Sequence, residues 1–169
     1  MIVRVMGAVL LVGGCGGFGF LMGLYYRREI RILRILLKSL QEMEWELTYR
    51  LTPLPKLFAV AASVPDKKLQ ALYNSMESAL ESGMYAEVSG CMNGFLNSMD
   101  FPFRCNKCLK ELGKILGRYD LEGQLQGLRT VKTQCRNYIE ELENHRSERL
   151  RSYQTLGLCA GAALVILLV

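Results

Sequence analysis

The chain is apolar at both ends and mixed in the middle. From Val5 to Tyr26, 22 consecutive residues carry no charge; as a helix they would extend roughly 33 Å, enough to cross a bilayer core of about 30 Å. Ser152 to Val169 is a second uncharged stretch, of 18 residues, roughly 27 Å long and sufficient where the bilayer thins. Residues 1–26 and 152–169 are therefore expected to be transmembrane helices, with 27–151 a soluble domain between them. A cleaved signal peptide is the rival reading of the first segment. Against it, the run is longer than a signal core and ends in Tyr25-Tyr26-Arg27-Arg28 with no small-x-small pattern before it.

The middle of the chain reads as helices throughout, giving an all-α bundle of about six. After the first span Leu33, Leu36, Leu40, Met43 and Leu47 recur at spacings of 3 and 4, an apolar seam on a helix that continues from the membrane and stops near Arg50. The four prolines, Pro53, Pro55, Pro65 and Pro102, divide the rest of this region. Thr52-Pro53 has the chemistry of an N-cap and first helical position, opening a short helix with Leu57, Val60 and Ala61. Pro65-Asp66 restarts the chain, and Leu69, Leu72, Tyr73, Met76 and Leu80 form an amphipathic face ending near Gly83, a C-terminal cap. Met84, Val88, Met92, Phe95 and Met99 mark the next helix, which breaks at Asp100 to Pro102. Leu109, Leu112, Ile115 and Leu116 mark another, ended by Gly117. Asp120 can cap the last helix, with Leu121, Leu125, Leu128, Val131, Cys135, Tyr138, Ile139 and Leu142 on its core face. From Glu140 to Arg151 the pattern turns polar, as in a solvated stalk. Gly123 and Gly127 are costly inside that helix and predict close packing.

Charge fixes the expected orientation. Of 21 Lys and Arg, all but Arg4 fall between Arg27 and Arg151, as do all 16 Asp and Glu, which leaves +4 on the soluble part. Arg27, Arg28, Arg31, Arg34 and Lys38 follow the first span, and Arg146, Arg149 and Arg151 precede the second. Basic residues stay on the cytoplasmic side, so both termini are expected outside and residues 27–151 in the cytoplasm. The same basic collar should attract an anionic membrane surface, at about 1 kcal/mol per residue. Nucleic acid is not indicated, because the basic residues alternate with Glu and no binding motif is present.

Little of the chain speaks for catalysis. Cys105-Asn-Lys-Cys108 is the one arrangement with chemical potential. A structural zinc would need four ligands, and the chain has no second CxxC and a single His, His145. In a reducing cytoplasm these thiols, with Cys91 and Cys135, read as small apolar residues. Glu42, Glu44 and Glu46 do not share a helix face and read as solvated. Gly13 and Gly17, Gly19 and Gly23, and Gly157 and Gly161 are spaced for close pairing of membrane helices, with each other or with another membrane protein. They are not a phosphate loop, since Gly23 is followed by Leu24 and Tyr25 rather than Lys and Ser or Thr. No cofactor is expected, and the chain is not expected to be an enzyme.

The order of features resembles the stage III sporulation protein AB family of endospore-forming Firmicutes. It has a first span ending in a basic cluster, then Thr52-Pro53-Leu54-Pro55, then Leu116-Gly117-Arg118-Tyr119-Asp120 with Gln124. Tyr153-Gln154-Thr155-Leu156-Gly157 leads into a final apolar segment. The resemblance implies a helical domain similar to the platform proteins of type II secretion and type IV pilus machines. It also implies a partner, the sporulation ATPase known as the stage III AA protein, and other stage III A components of the channel between mother cell and forespore. On that view the chain anchors the ATPase at the outer forespore membrane and hydrolyses nothing itself. Thr52, Pro53, Pro55, Gly117, Asp120 and Gln124 are carried as signature positions whose roles are turn and cap geometry, or contact with the partner. The alternative, from another class, is a membrane-bound helical adaptor or anionic-lipid-surface sensor that uses the basic collar.

Overall fold

The structure is a computed structural model that describes the backbone of residues 2–83 and 87–168 and the side chains of residues 25–83 and 87–144. Six helices and no strand occur among the described residues: α1 (Ile2–Tyr49), α2 (Leu54–Ala61), α3 (Lys67–Glu81), α4 (Val88–Ser98), α5 (Phe103–Ile115) and α6 (Leu121–Leu168). The fold class is all-α. Glu29–Ile139 forms one compact unit, and Met1–Arg28 with Glu140–Val169 forms a second. Among the described residues no helix is long and apolar enough to cross a membrane. The expected spans at 1–26 and 152–169 fall on stretches where only the backbone is described, apart from Tyr25 and Tyr26, as does most of the expected stalk.

The core of the compact unit follows the 3.6-residue period. Leu33, Leu36, Leu40 and Met43 of α1 are fully buried, with Leu47 close behind. They share the core with Leu57 and Phe58 of α2, Leu69, Leu72, Tyr73 and Met76 of α3, Met92 and Leu96 of α4, and Leu109 and Leu112 of α5. From α6 come Leu128, Val131 and Cys135. Burial of each large apolar side chain stabilises the fold by roughly 1.5–3 kcal/mol relative to exposure. A polar link through this interior joins Ser39 and Tyr73, whose hydroxyls lie 2.8 Å apart while Ser39 Oγ also donates to the Leu36 carbonyl at 2.9 Å. Both hydroxyls are thereby satisfied, which removes the cost of burying them.

Helix ends follow local chemistry, with one correction. Asp66 Oδ1 accepts from the backbone N–H of Lys68 at 3.0 Å and Leu69 at 3.1 Å, capping α3. Gly83, at φ 65°, follows the end of that helix. Thr52, by contrast, does not cap α2. The cap position is Pro53, Leu54 is the first helical residue, and Pro55 sits in the first turn where no hydrogen is missed. The Thr52 hydroxyl is diverted to Glu46, to whose Oε2 it donates at 2.7 Å.

Two of the acidic residues of α1 also depart from the solvated reading. Glu46 is buried, and half-buried Glu44 takes hydrogen bonds from Arg129 and Lys132 of α6. Those bonds, from Lys132 first and Arg129 second, hold the Glu44 carboxyl below its ordinary range. The reason is tertiary: α6 brings two cations to α1 from more than 80 residues away.

Candidate functional site

The compact unit has one end built from the close of α1, the start of α2, the start of α4 and the turn between α5 and α6. Gly117, in that turn, lies against Leu54 and Val88. It ends α5 at φ 77°, and a Cβ added there would sit 2.9 Å from Leu54 Cδ1 and 3.1 Å from Val88 Cγ2. Glycine meets both demands without strain, the left-handed backbone and the contact. Through it the two motifs Thr52–Pro55 and Leu116–Asp120, far apart in sequence, come together.

On the α1 side the chain is held in a clasp. Glu46 accepts from Arg50 Nη1 at 3.1 Å as well as from Thr52, so one buried carboxylate holds both flanks of Leu51. Leu51 has φ 51°, the only positive φ outside glycine among the described residues, and its side chain is 64% exposed. A leucine in this conformation costs about 1–2 kcal/mol, and such strain persists where surrounding contacts enforce it. Beside it stand Tyr49, 72% exposed, and Trp45, 48% exposed, with ring centroids 5.6 Å apart and the Arg50 guanidinium 4.9 Å over the indole. The result is a projecting apolar knuckle on a fixed support.

On the α6 side Asp120 Oδ1 accepts from the Gly123 N–H at 3.0 Å, a cap on the helix that starts at Leu121. A Cβ at Gly123 would lie 2.8 Å from Tyr119 Cβ and 2.9 Å from that carboxylate oxygen, so this glycine serves the turn. Gly127 instead lies against Ile115 of α5, a close approach of two helices. Gln124 Nε2 donates to the Tyr119 carbonyl at 2.8 Å, while its Oε1 is buried with no hydrogen-bond partner. Tyr119 and Leu121 are exposed. The same end therefore carries a third exposed aromatic and an acceptor with no donor among the described residues.

The structure thus gathers Thr52, Pro53, Pro55, Gly117, Asp120 and Gln124 at one end. Trp45, Glu46, Tyr49 and Leu51 belong with them, and the hydrophobic pattern alone does not mark them. A signal existed, since Trp45 and Tyr49 are large apolar residues four apart that fall off the Leu33 to Leu47 seam. Of the basic collar, Arg27, Arg28, Arg31 and Arg34 are exposed, whereas Arg146, Arg149 and Arg151 lie outside the described side chains. So does the packing of Gly13, Gly17, Gly19, Gly23, Gly157 and Gly161. Cys91, Cys105, Cys108 and Cys135 are free thiols, all buried. Burial pushes the Cys105 thiol up, while a hydrogen bond with Cys135 draws Cys108 down. No group of three or more His, Cys, Asp or Glu among the described residues could hold a metal ion.

A family model described as stage III sporulation protein AB matches residues 4–169. The chain belongs to that family. Stage III sporulation protein AB of Bacillus subtilis (strain 168) is 23% identical over 169 residues, covering 98% of this chain and 99% of that protein. A solved structure of a stage III sporulation protein AB matches with a TM-score of 0.62 at 19% identity, over 72% of this chain and 98% of that one. The helical fold is thereby shared with a family member. Family membership ties the chain to sporulation.

Proposed function

We propose that the chain is a membrane-tethered docking component of a sporulation channel, whose compact helical unit holds a secretion-type ATPase, the stage III AA protein, at the outer forespore membrane. It works without chemistry of its own. The unit faces the mother-cell cytoplasm, two spans at 1–26 and 152–169 tether it, and both termini lie outside the cytoplasm. The observation that carries this reading is the Trp45–Tyr49–Leu51 knuckle, enforced by the Glu46 clasp and followed in the chain by Leu54, which lies against Gly117. Exposed aromatics on a rigid support are the residues that anchor protein interfaces, and their preorganisation lowers the entropy lost on binding.

The test is co-purification of the full chain with the ATPase, followed by titration of Tyr49→Ala and Leu51→Ala. Truncating a central anchor costs about 2 kcal/mol or more, which is roughly 30-fold in affinity. Retention of wild-type affinity in both variants would remove the knuckle from the interface. Absence of binding by the unaltered chain would remove the ATPase as partner.

A further inference from the structure

We infer that Cys108 and Cys135 form a modification site, at which hydrogen peroxide oxidises the two thiols to a disulfide that staples α5 to α6. The inference does not depend on the function proposed above. It starts from the register of the two helices, which follow one another across the turn at residues 116–120. Two contacts fix that register. A Cβ on Gly127 would overlap the Ile115 side chain, and the Arg104 guanidinium carbon lies 5.9 Å from the centre of the Tyr138 ring. The first contact joins residues near the turn and the second joins residues further along both helices, so α5 and α6 run antiparallel. Cys108 lies seven residues before Ile115 and Cys135 eight after Gly127, while Arg104 lies four before Cys108 and Tyr138 three after Cys135. The register thus sets the two thiols opposite each other, between the two contacts.

Both side chains lie in the core: Cys108 and Cys135 are fully buried, as are Leu109 and Leu112 on α5, with Val131 on α6 nearly so. The close approach at Gly127 brings the helices together, as a disulfide requires, since its Cβ atoms stand about 3.5–4.5 Å apart. The two thiols are hydrogen-bonded, and the bond from Cys135 draws the Cys108 thiol below its ordinary value. Cys108 is therefore the sulfur that ionises first and attacks. Cys105 is the rival partner. It lies one turn earlier on α5, where side chains three apart keep their Cβ atoms about 5–6 Å from each other, so its bond to Cys108 would distort the helix.

The Cys108 thiolate attacks one oxygen of hydrogen peroxide and the O–O bond breaks. Cys108 becomes a sulfenic acid, and the departing hydroxide takes up the proton that the thiol had lost, leaving as water. The Cys135 sulfur then attacks Cys108 Sγ, the S–OH bond breaks, and the hydroxide released takes the Cys135 proton as a second water. The two sulfurs lose two electrons in all, and one peroxide is reduced to two waters. Hydrogen peroxide is small enough to reach the buried pair during local opening of the helices. In a reducing compartment the pair returns to two thiols. The bond joins the helices two turns from residues 116–120, and so holds the turn that carries Gly117 and Tyr119.

The experiment treats the full chain with hydrogen peroxide, blocks the remaining thiols with iodoacetamide, and digests the monomer band of a non-reducing gel with trypsin. Trypsin cuts after Lys107, so Cys105 and Cys108 fall in different peptides. The expected product joins residues 108–110 to residues 133–136, lighter by two hydrogens, and dithiothreitol removes it. In denaturing guanidinium the nearer pair, Cys105 and Cys108, should dominate instead, because shorter loops close more readily. Cys105→Ala should keep the native product. Cys135→Ala should abolish it and leave Cys108 as a sulfenic acid that dimedone traps. Oxidation should raise the melting temperature by on the order of 10 °C, and dithiothreitol should reverse the rise. A Cys105–Cys108 bond in the folded chain, Cys108 carried to sulfinic acid without a crosslink, or thiols left untouched by peroxide would each overturn the site. A Cys108–Cys135 bond that lowered the melting temperature would overturn the staple, because the helices would have to distort to close it.

Discussion

Leu51 is where strain and exposure coincide. Replacing it with glycine removes the left-handed penalty, and the greater freedom of glycine in the unfolded chain offsets part of the gain. Leu51→Gly is expected to stabilise the compact unit by about 0.5–1 kcal/mol in thermal melts while weakening ATPase binding. A variant that lost both would make Leu51 a folding residue. Buried Tyr73 gives a second prediction. Desolvation pushes its phenol above the ordinary value of 10.0, partly countered by its bond to Ser39. The unfolded chain ionises first, so this stabilisation is complete below pH 10 and lost as pH rises above it. Denaturant midpoints should fall above pH 10, and Tyr73→Phe should flatten that part of the profile. At this scale the sequence reveals the restart at Pro65-Asp66 and the cap at Asp120, because such signals are decided within three residues. It hides Glu29, because the partner of that buried carboxylate is distant: Arg104 meets it across 75 positions.

Among elements, the helices were legible wherever one force decided them. The Leu33 to Leu47 seam is buried as its period requires, and Gly83 and Gly117 follow helix ends with the positive φ that glycine allows. Thr52 shows the limit, since two local rules placed it at a cap and a carboxylate on the preceding helix captured its hydroxyl. The candidate site was half legible for the same reason: its turn residues have local signatures, and its knuckle depends on the clasp. Two glycines separate the effects of propensity and packing. A methyl group placed on Gly90 of α4 would meet nothing within 4 Å, whereas Gly127 in α6 abuts Ile115. Gly90→Ala is expected to stabilise the unit by about 0.5–1 kcal/mol through helix propensity alone. Gly127→Ala should destabilise it by about 1–3 kcal/mol through crowding of the α5–α6 contact. Calorimetric melting of the two variants checks both, and equal shifts of the same sign would deny the close approach.

Across the whole molecule, docking and tethering are assigned to different parts of the chain, so they should separate. Tyr49→Ala is expected to weaken ATPase co-purification and leave the resistance of the full chain to alkaline carbonate extraction unchanged. Loss of both would mean that the docking surface and the tether act as one. The buried thiols add a different handle. Cys91, Cys105, Cys108 and Cys135 are all shut away from solvent in the folded unit, so a thiol reagent reaches them only when helices part. Cys91 lies on α4, Cys105 and Cys108 on α5, and Cys135 on α6. Their labelling rates, read peptide by peptide in a mass spectrometer, form a clock that times the opening of three helices separately, before and after a partner binds.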